Sequence, residues 1–200
     1  MISNFVKKFF FYIFLFCFAN SASIANESNA EAFVLKLSSE AKVIFNDKAL
    51  GKGDRLKKLN ELSLKYLDLD ALASYTLGDY REKISAQEKE VFNKLFKEYF
   101  IKNMSSKLND FSDQELKVTA SKQINENNII VQTKIFSKKE AHEINVDWRI
   151  FSKDNKLLAR DLVVEGLSLA RTQKEEFASI IASKGFSGIV AALEAFNKAN

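Results

Sequence analysis

The chain is predicted to fold as an α+β domain, and three observations predict it. Apolar residues recur at helical spacing from residue 30 to about 104, alternate with polar ones from 115 to 165, and return to helical spacing after 169. The alternating segments are joined by short polar turns at 125–128, 137–140 and 152–155, too short for the crossover that parallel strands need. There is no proline and there are 6 glycines, with no repeat, low-complexity tract or linker, so one domain is expected. The predicted order is four N-terminal helices, a four-stranded antiparallel meander sheet, and two C-terminal helices.

Each element has its own signal. Residues 30–47 carry Phe33, Leu37, Ala41, Ile44 and Phe45 on one face. Gly51 and Gly53 break that helix, and a second follows through Leu56, Leu59, Leu62 and Tyr66. Asp68 is placed to cap a short third helix, Leu69 to Tyr75, ending near Gly78. Ser85-Ala86-Gln87-Glu88 is a capping box opening a fourth helix with Phe92, Leu95, Phe96, Tyr99, Phe100 and Met104. Leu116, Val118 and Ala120 alternate with polar residues, as do Ile129, Val131, Thr133 and Ile135, then Ile144, Val146, Trp148 and Ile150. The fourth strand, 156–165, holds Val163-Val164 and stops at Gly166, a residue free to take the backbone angles of a sharp exit. Ser168, or Thr172 with Glu175 three residues on, then caps a helix over 169–184, and Gly185 separates it from another over 187–197.

Residues 1–25 read as a secretory signal peptide. Lys7-Lys8 precede an apolar run from Phe9 to Ala19, and Ser23 and Ala25 offer small residues at the −3 and −1 positions. That run is about 11 residues, where a membrane span needs roughly 20. An uncleaved anchor is the rival reading. Acylation at Cys17 fits poorly, because Phe16 stands where a small residue should precede the cysteine. Cleavage leaves 26–200 as a single domain and removes the only cysteine. It also removes two lysines and no acids, so the formal charge falls from +4 to +2, with no basic stripe to suit nucleic acid.

Catalytic chemistry is sparse. Gly166-Leu167-Ser168-Leu169-Ala170 falls one residue short of a nucleophile elbow, and the one histidine, His142, precedes the serine in the chain. A helix cap accounts for Ser168 and a strand end for His142. With no second histidine and no cysteine after cleavage, no metal site is expected. Asp68 with Asp70, and Asp147 with Asp161, read as caps and solvated strand positions. No glycine-rich phosphate loop exists. What stands out is apolar surface: an aromatic stripe on the fourth helix and the alternating face of the sheet. Periodicity leaves open whether these fill a core or line a hollow.

Several segments together resemble the periplasmic phospholipid-binding family of the Mla pathway, the MlaC or toluene-tolerance auxiliary family. Tyr75-Thr76-Leu77-Gly78-Asp79-Tyr80-Arg81 is similar to its LG-x-[WY]-R segment, and Gln87, Phe92, Phe96 and Tyr99 to its Q-x-x-x-F-x-x-x-F helix. Trp148-Arg149-Ile150 resembles the aromatic third strand. Asp161 to Leu169 resembles D-V-x-V-E-G-[VI]-S-L, the most specific segment, and Phe177 fits the following helix. The likeness covers about residues 30–196. Where the family often has a tryptophan before the fourth-strand motif and a tyrosine-arginine pair before Phe177, this chain has Leu157-Leu158-Ala159-Arg160 and Gln173-Lys174.

The resemblance implies a monomeric periplasmic carrier, not an enzyme, with no cofactor. It would shuttle phospholipid between an inner-membrane ABC transporter complex bearing a lipid-binding ring and an outer-membrane lipoprotein–porin complex, maintaining outer-membrane asymmetry. Acyl chains would lie in a cavity between sheet and helices. The residues expected to line it are Leu77, Phe96, Tyr99, Met104, Val131, Ile135, Val146, Trp148, Val163 and Leu167. Two alternatives remain: a carrier of another, hopanoid-type lipid, and a small-pocket α+β enzyme dependent on His142.

Overall fold

A computed structural model describes residues 18–108, 114–137, 143–153 and 156–199. The expected processing signal falls mostly outside the described residues, and Cys17 and His142 fall wholly outside them. The helices are α1 (Phe18–Asn46), α2 (Lys52–Tyr66), α3 (Leu69–Thr76), α4 (Ala86–Leu108) and α5 (Leu169–Ala199), with a 3-10 turn over Gly78–Glu82 between α3 and α4. The strands are β1 (Gln114–Asn125), β2 (Asn128–Ser137), β3 (Glu143–Lys153), β4 (Lys156–Val164) and β5 (Leu167–Ser168).

The α+β class and the antiparallel meander stand as predicted, with strands in the order β1-β2-β3-β4-β5. Four corrections belong to the elements. The first helix already runs from Phe18, at the edge of the described residues, rather than from 30, and residues 19–29 contain no glycine or proline to break it. The second helix takes Gly53 into its first turn, with Gly51 alone as the break. A fifth strand follows β4. Glu165 (φ 48°) and Gly166 (φ 81°) are both left-handed, the signature of a two-residue type I′ hairpin, so the chain doubles back for one pair of residues before α5 begins. Thr172 is no cap: its hydroxyl donates to the Ser168 carbonyl from inside the helix, while Glu175 pairs with Arg171.

The other caps behave as their sequences require. Asp68 accepts from the Ala71 N–H at 3.2 Å. At the start of α4, Glu88 accepts from the Ser85 N–H at 2.8 Å, and the Ser85 hydroxyl accepts from the Glu88 N–H at 3.2 Å. Gly185, at φ 68°, kinks α5 where two helices were expected to part. By length and composition α5 could cross a membrane, but Ala170, Phe177, Ile189 and Leu193 are buried in the domain.

Two apolar clusters result. The first joins one face of the sheet to α1 and α2, through Val34, Leu37, Leu59, Leu62, Tyr66, Ile129, Val131, Trp148 and Ile150, and takes Ile101 from α4. The second is helical, packing Leu72, Phe92, Phe96, Phe177, Ile189 and Leu193 from α3, α4 and α5 together with Leu77 at the end of α3. Leu67 and Phe100 touch both. The sheet and the helical cluster are stitched beside Leu67: the Asp68 N–H donates to the Ala159 carbonyl at 3.0 Å, and Arg160 Nη2 meets the Asp68 carboxylate at 2.7 Å.

Candidate functional site: the apolar face of the sheet

Strand register decides which side chains share a face. Val118, Thr133, Val146, Val164 and Leu167 are successive partners across five strands. Leu116, Ile135 and Ile144 form the row beside them, and Val131, Trp148 and Leu162 the row on the other side. A further row, Ile129, Ile150 and Ala159, closes the face.

Burial divides these rows, with Val131, Thr133, Val146 and Trp148 in the middle at most 9% exposed. Ile129 and Ile150 are 1% exposed and Ala159 3%, so one end is sealed. Leu116, Ile135 and Ile144 at the other end are only part-buried, and Leu167 at the rim is 60% exposed. Helix α1 runs along β1 over this face. Glu27 accepts from the Gln123 N–H near the sealed end, Ser121 donates to Glu31 further on, and Lys42 donates to the Gln114 carbonyl at 3.0 Å near the open end.

The one polar pair deep in this face is internally satisfied. Thr133 donates to the Val146 carbonyl at 2.8 Å and accepts from the Trp148 indole N–H at 3.1 Å. A buried polar group left without a partner is costly, and here no donor is left over. The face therefore presents hydrocarbon, with Trp148 held in one orientation.

The residues singled out from the sequence do not gather in one place. Val131, Val146, Trp148 and Ile135 share the apolar face. Leu77 and Phe96 are buried in the helical cluster, and Tyr99 lies part-buried against it. The Tyr99 hydroxyl donates to Gln173 at 2.6 Å, and burial pushes its pKa up, with the Glu176 charge adding to the shift. Met104 is part-buried beyond them on α4, in neither cluster. Val163 is a correction: it pairs with Asp147 and Ser168, whereas its neighbours Leu162 and Val164 pair with Trp148 and Val146. With a side-chain period of two, Val163 points to the opposite face of the sheet. Leu162, Val164, Leu116 and Ile144 share this face without having been expected to line a cavity; the alternation of Leu116 and Ile144 is legible in the sequence, but the register that aligns all four is not.

Ser168 takes part in a cap and not in a nucleophilic pair. It donates to Asp161 at 2.6 Å and accepts from the Arg171 N–H at 3.0 Å, while Asp161 also accepts from the Ala170 N–H at 3.0 Å. One carboxylate oxygen and the serine hydroxyl thus accept from the first turn of α5, while the other carboxylate oxygen holds the hydroxyl in place. Asp70, the other carboxylate near Asp68, meets Lys97 at 2.8 Å. Among the described residues no cluster of His, Cys, Asp and Glu could hold a metal ion.

Comparisons with known proteins found a family model, a relative and a solved structure to which the chain is similar. A model of the family described as MlaC protein matches residues 36–195. The intermembrane phospholipid transport system binding protein MlaC of Haemophilus influenzae is 24% identical over 134 residues, which cover 66% of this chain and 63% of that relative. The match thus spans a little under two thirds of the relative's length. A solved structure of a phospholipid-binding protein from Ralstonia solanacearum, in complex with a phospholipid, superposes with a TM-score of 0.71 at 20% identity. It covers 84% of this chain and 96% of that one, a likeness of fold.

Proposed function

The chain belongs to the MlaC family, and from that premise we propose that it binds phospholipid and carries it through the periplasm between the two membranes. The observation that carries the reading is the apolar face: buried from Ile129, Ile150 and Ala159 through Val131, Val146 and Trp148, and only half-covered from Leu116, Ile135 and Ile144 out to Leu167. Acyl chains enter at the open end and lie along Val131, Val146, Trp148, Leu162 and Val164. Each CH₂ kept from water is worth about 0.8 kcal/mol, which is why a lipid needs an apolar host to cross an aqueous gap. Moving chains from a bilayer to this face exchanges one apolar medium for another. Direction then comes from the partners that load and unload the carrier, an inner-membrane ABC transporter complex and an outer-membrane lipoprotein–porin complex. The reading assigns no catalytic step and no cofactor. It also has residues 1–25 removed on export, leaving a soluble monomer.

The test is mass spectrometry of lipid extracted from the exported protein, paired with two tryptophan substitutions. Ile135→Trp fills the open end of the face and is expected to reduce bound phospholipid per protein, leaving the thermal midpoint of delipidated protein nearly unchanged. Val163→Trp lies on the other face and leaves lipid content as in the wild type. A drop in stability of about 1–3 kcal/mol for Ile135→Trp, the usual cost of overpacking, shows a filled core and overturns the reading. Wild-type protein that carries no phospholipid, or carries a polycyclic lipid instead, overturns it as well.

A further inference from the structure

We infer that Ser38, Lys42 and Gln114 form a polar subsite at the open end of the apolar face, which takes the phosphate ester of the lipid headgroup. The inference rests on the phospholipid reading and adds to it the groups that hold the head.

Three observations meet there. Ser38 and Lys42 stand one turn apart on α1, on the stretch that lies beside the start of β1. Gln114 begins β1 two residues before Leu116, so its side chain shares the face of the half-covered row Leu116, Ile135 and Ile144. The Ser38 hydroxyl and the Gln114 side-chain oxygen are both buried from solvent and have no hydrogen-bond partner.

Buried polar atoms are normally satisfied, because an unmet one forfeits its bonds to water with nothing in return. Two such atoms, one beside the half-covered row and one a helical turn from Lys42, ask for a polar ligand group. Lys42 names its charge. An ammonium has three N–H donors, and the Gln114 carbonyl engages one of them. A phosphate ester has several oxygens to accept from Lys42 and Ser38, and a headgroup ammonium or hydroxyl has a proton for the Gln114 oxygen. The wet end of a phospholipid thus meets donors and an acceptor at the place where its chains enter the face.

Free phosphate esters offer the same chemistry as a headgroup, so the experiment separates them. Delipidated wild-type protein is titrated with phosphatidylethanolamine, with diacylglycerol of the same chains, and with glycerol 1-phosphate. The expected result is tighter binding of phosphatidylethanolamine than of diacylglycerol and no measurable binding of glycerol 1-phosphate. Lys42→Gln then weakens phosphatidylethanolamine roughly tenfold or more, the size of one charge-assisted hydrogen bond, and leaves diacylglycerol unchanged. Ser38→Ala also weakens the phospholipid, yet leaves the midpoint of the delipidated protein unchanged or higher, since no intramolecular bond is lost. Equal losses for both lipids, or no loss for either, overturn the subsite while the carrier reading survives. Tight binding of glycerol 1-phosphate overturns the headgroup assignment in favour of a free ester. Binding of neither lipid by the wild type overturns the carrier reading itself.

Discussion

Gly78 sits at φ 57° in a buried turn, and a Cβ built there would stand 2.9 Å from Lys174 Cε. The left-handed conformation costs an L-residue about 1–2 kcal/mol, independent of the space around it. Gly78→Ala should therefore lower stability by at least that amount. Lys174 is a flexible chain end, so adding Lys174→Ala should recover little of the loss, a contrast that denaturant unfolding of single and double variants checks. Ser168→Ala removes one cap of α5 while Asp161 keeps its bond to the Ala170 N–H. The expected cost is about 1 kcal/mol, with bound lipid per protein unchanged. Loss of lipid from a variant that unfolds cooperatively near the wild-type midpoint would contradict the capping role. Both positions lie in segments that look family-like in the sequence, and the physical demand behind each is a backbone conformation or a helix end.

Helix α4 shows how much an element can state about itself. Its capping box is legible in four residues, and the reciprocal bonds between Ser85 and Glu88 are present. Those bonds hold the Glu88 carboxyl below its ordinary value of 4.5, the backbone bond from Ser85 acting most and its hydroxyl next. A carboxylate with a lowered folded-state pKa gives stability that is present above its unfolded value and lost as pH falls through the folded one. Glu88→Ala should thus separate from the wild type in thermal midpoint at neutral pH and converge with it as pH drops below about 4.5, the ordinary value. A constant gap across that range would show that the charge is not responsible. At the edge strand, β1 has a register shift between Val118 and Ala120 that turns Ser121 and Gln123 toward α1, and no alternation in the sequence marks it.

Across the whole molecule, most of the aromatic stripe packs in a cluster apart from the sheet, with Phe100 touching both. Phe96 is 1% exposed and has Phe92, Tyr99, Phe100 and Phe177 as ring neighbours within 6.4 Å. Phe96→Ala should cost about 3–5 kcal/mol, as in other filled aromatic cores, and the denaturation midpoint of delipidated protein measures it. A small cost would instead place a hollow on the helical side. The exported protein is expected to lack residues 1–25 and carry no covalent lipid; intact mass decides, and a mass retaining Cys17 with acyl chains would contradict it.

By itself the sequence determined the α+β class, the meander order, the Asp68 and Ser85 caps, the break at Gly185 and the resemblance to the MlaC family. Each of these depends on short-range spacing, on period two or period 3.6, or on a residue's own backbone freedom. Only the tertiary structure decided that Val163 faces away from Trp148 while Leu162 and Val164 face toward it. It also decided that Phe96 packs on α5 rather than on the sheet, and that Lys42 reaches the Gln114 carbonyl at the open end. Strand register and helix placement are settled by contacts between residues far apart in the chain. A one-residue change of register moves every side chain to the other face, and that choice is made only when the strands pair.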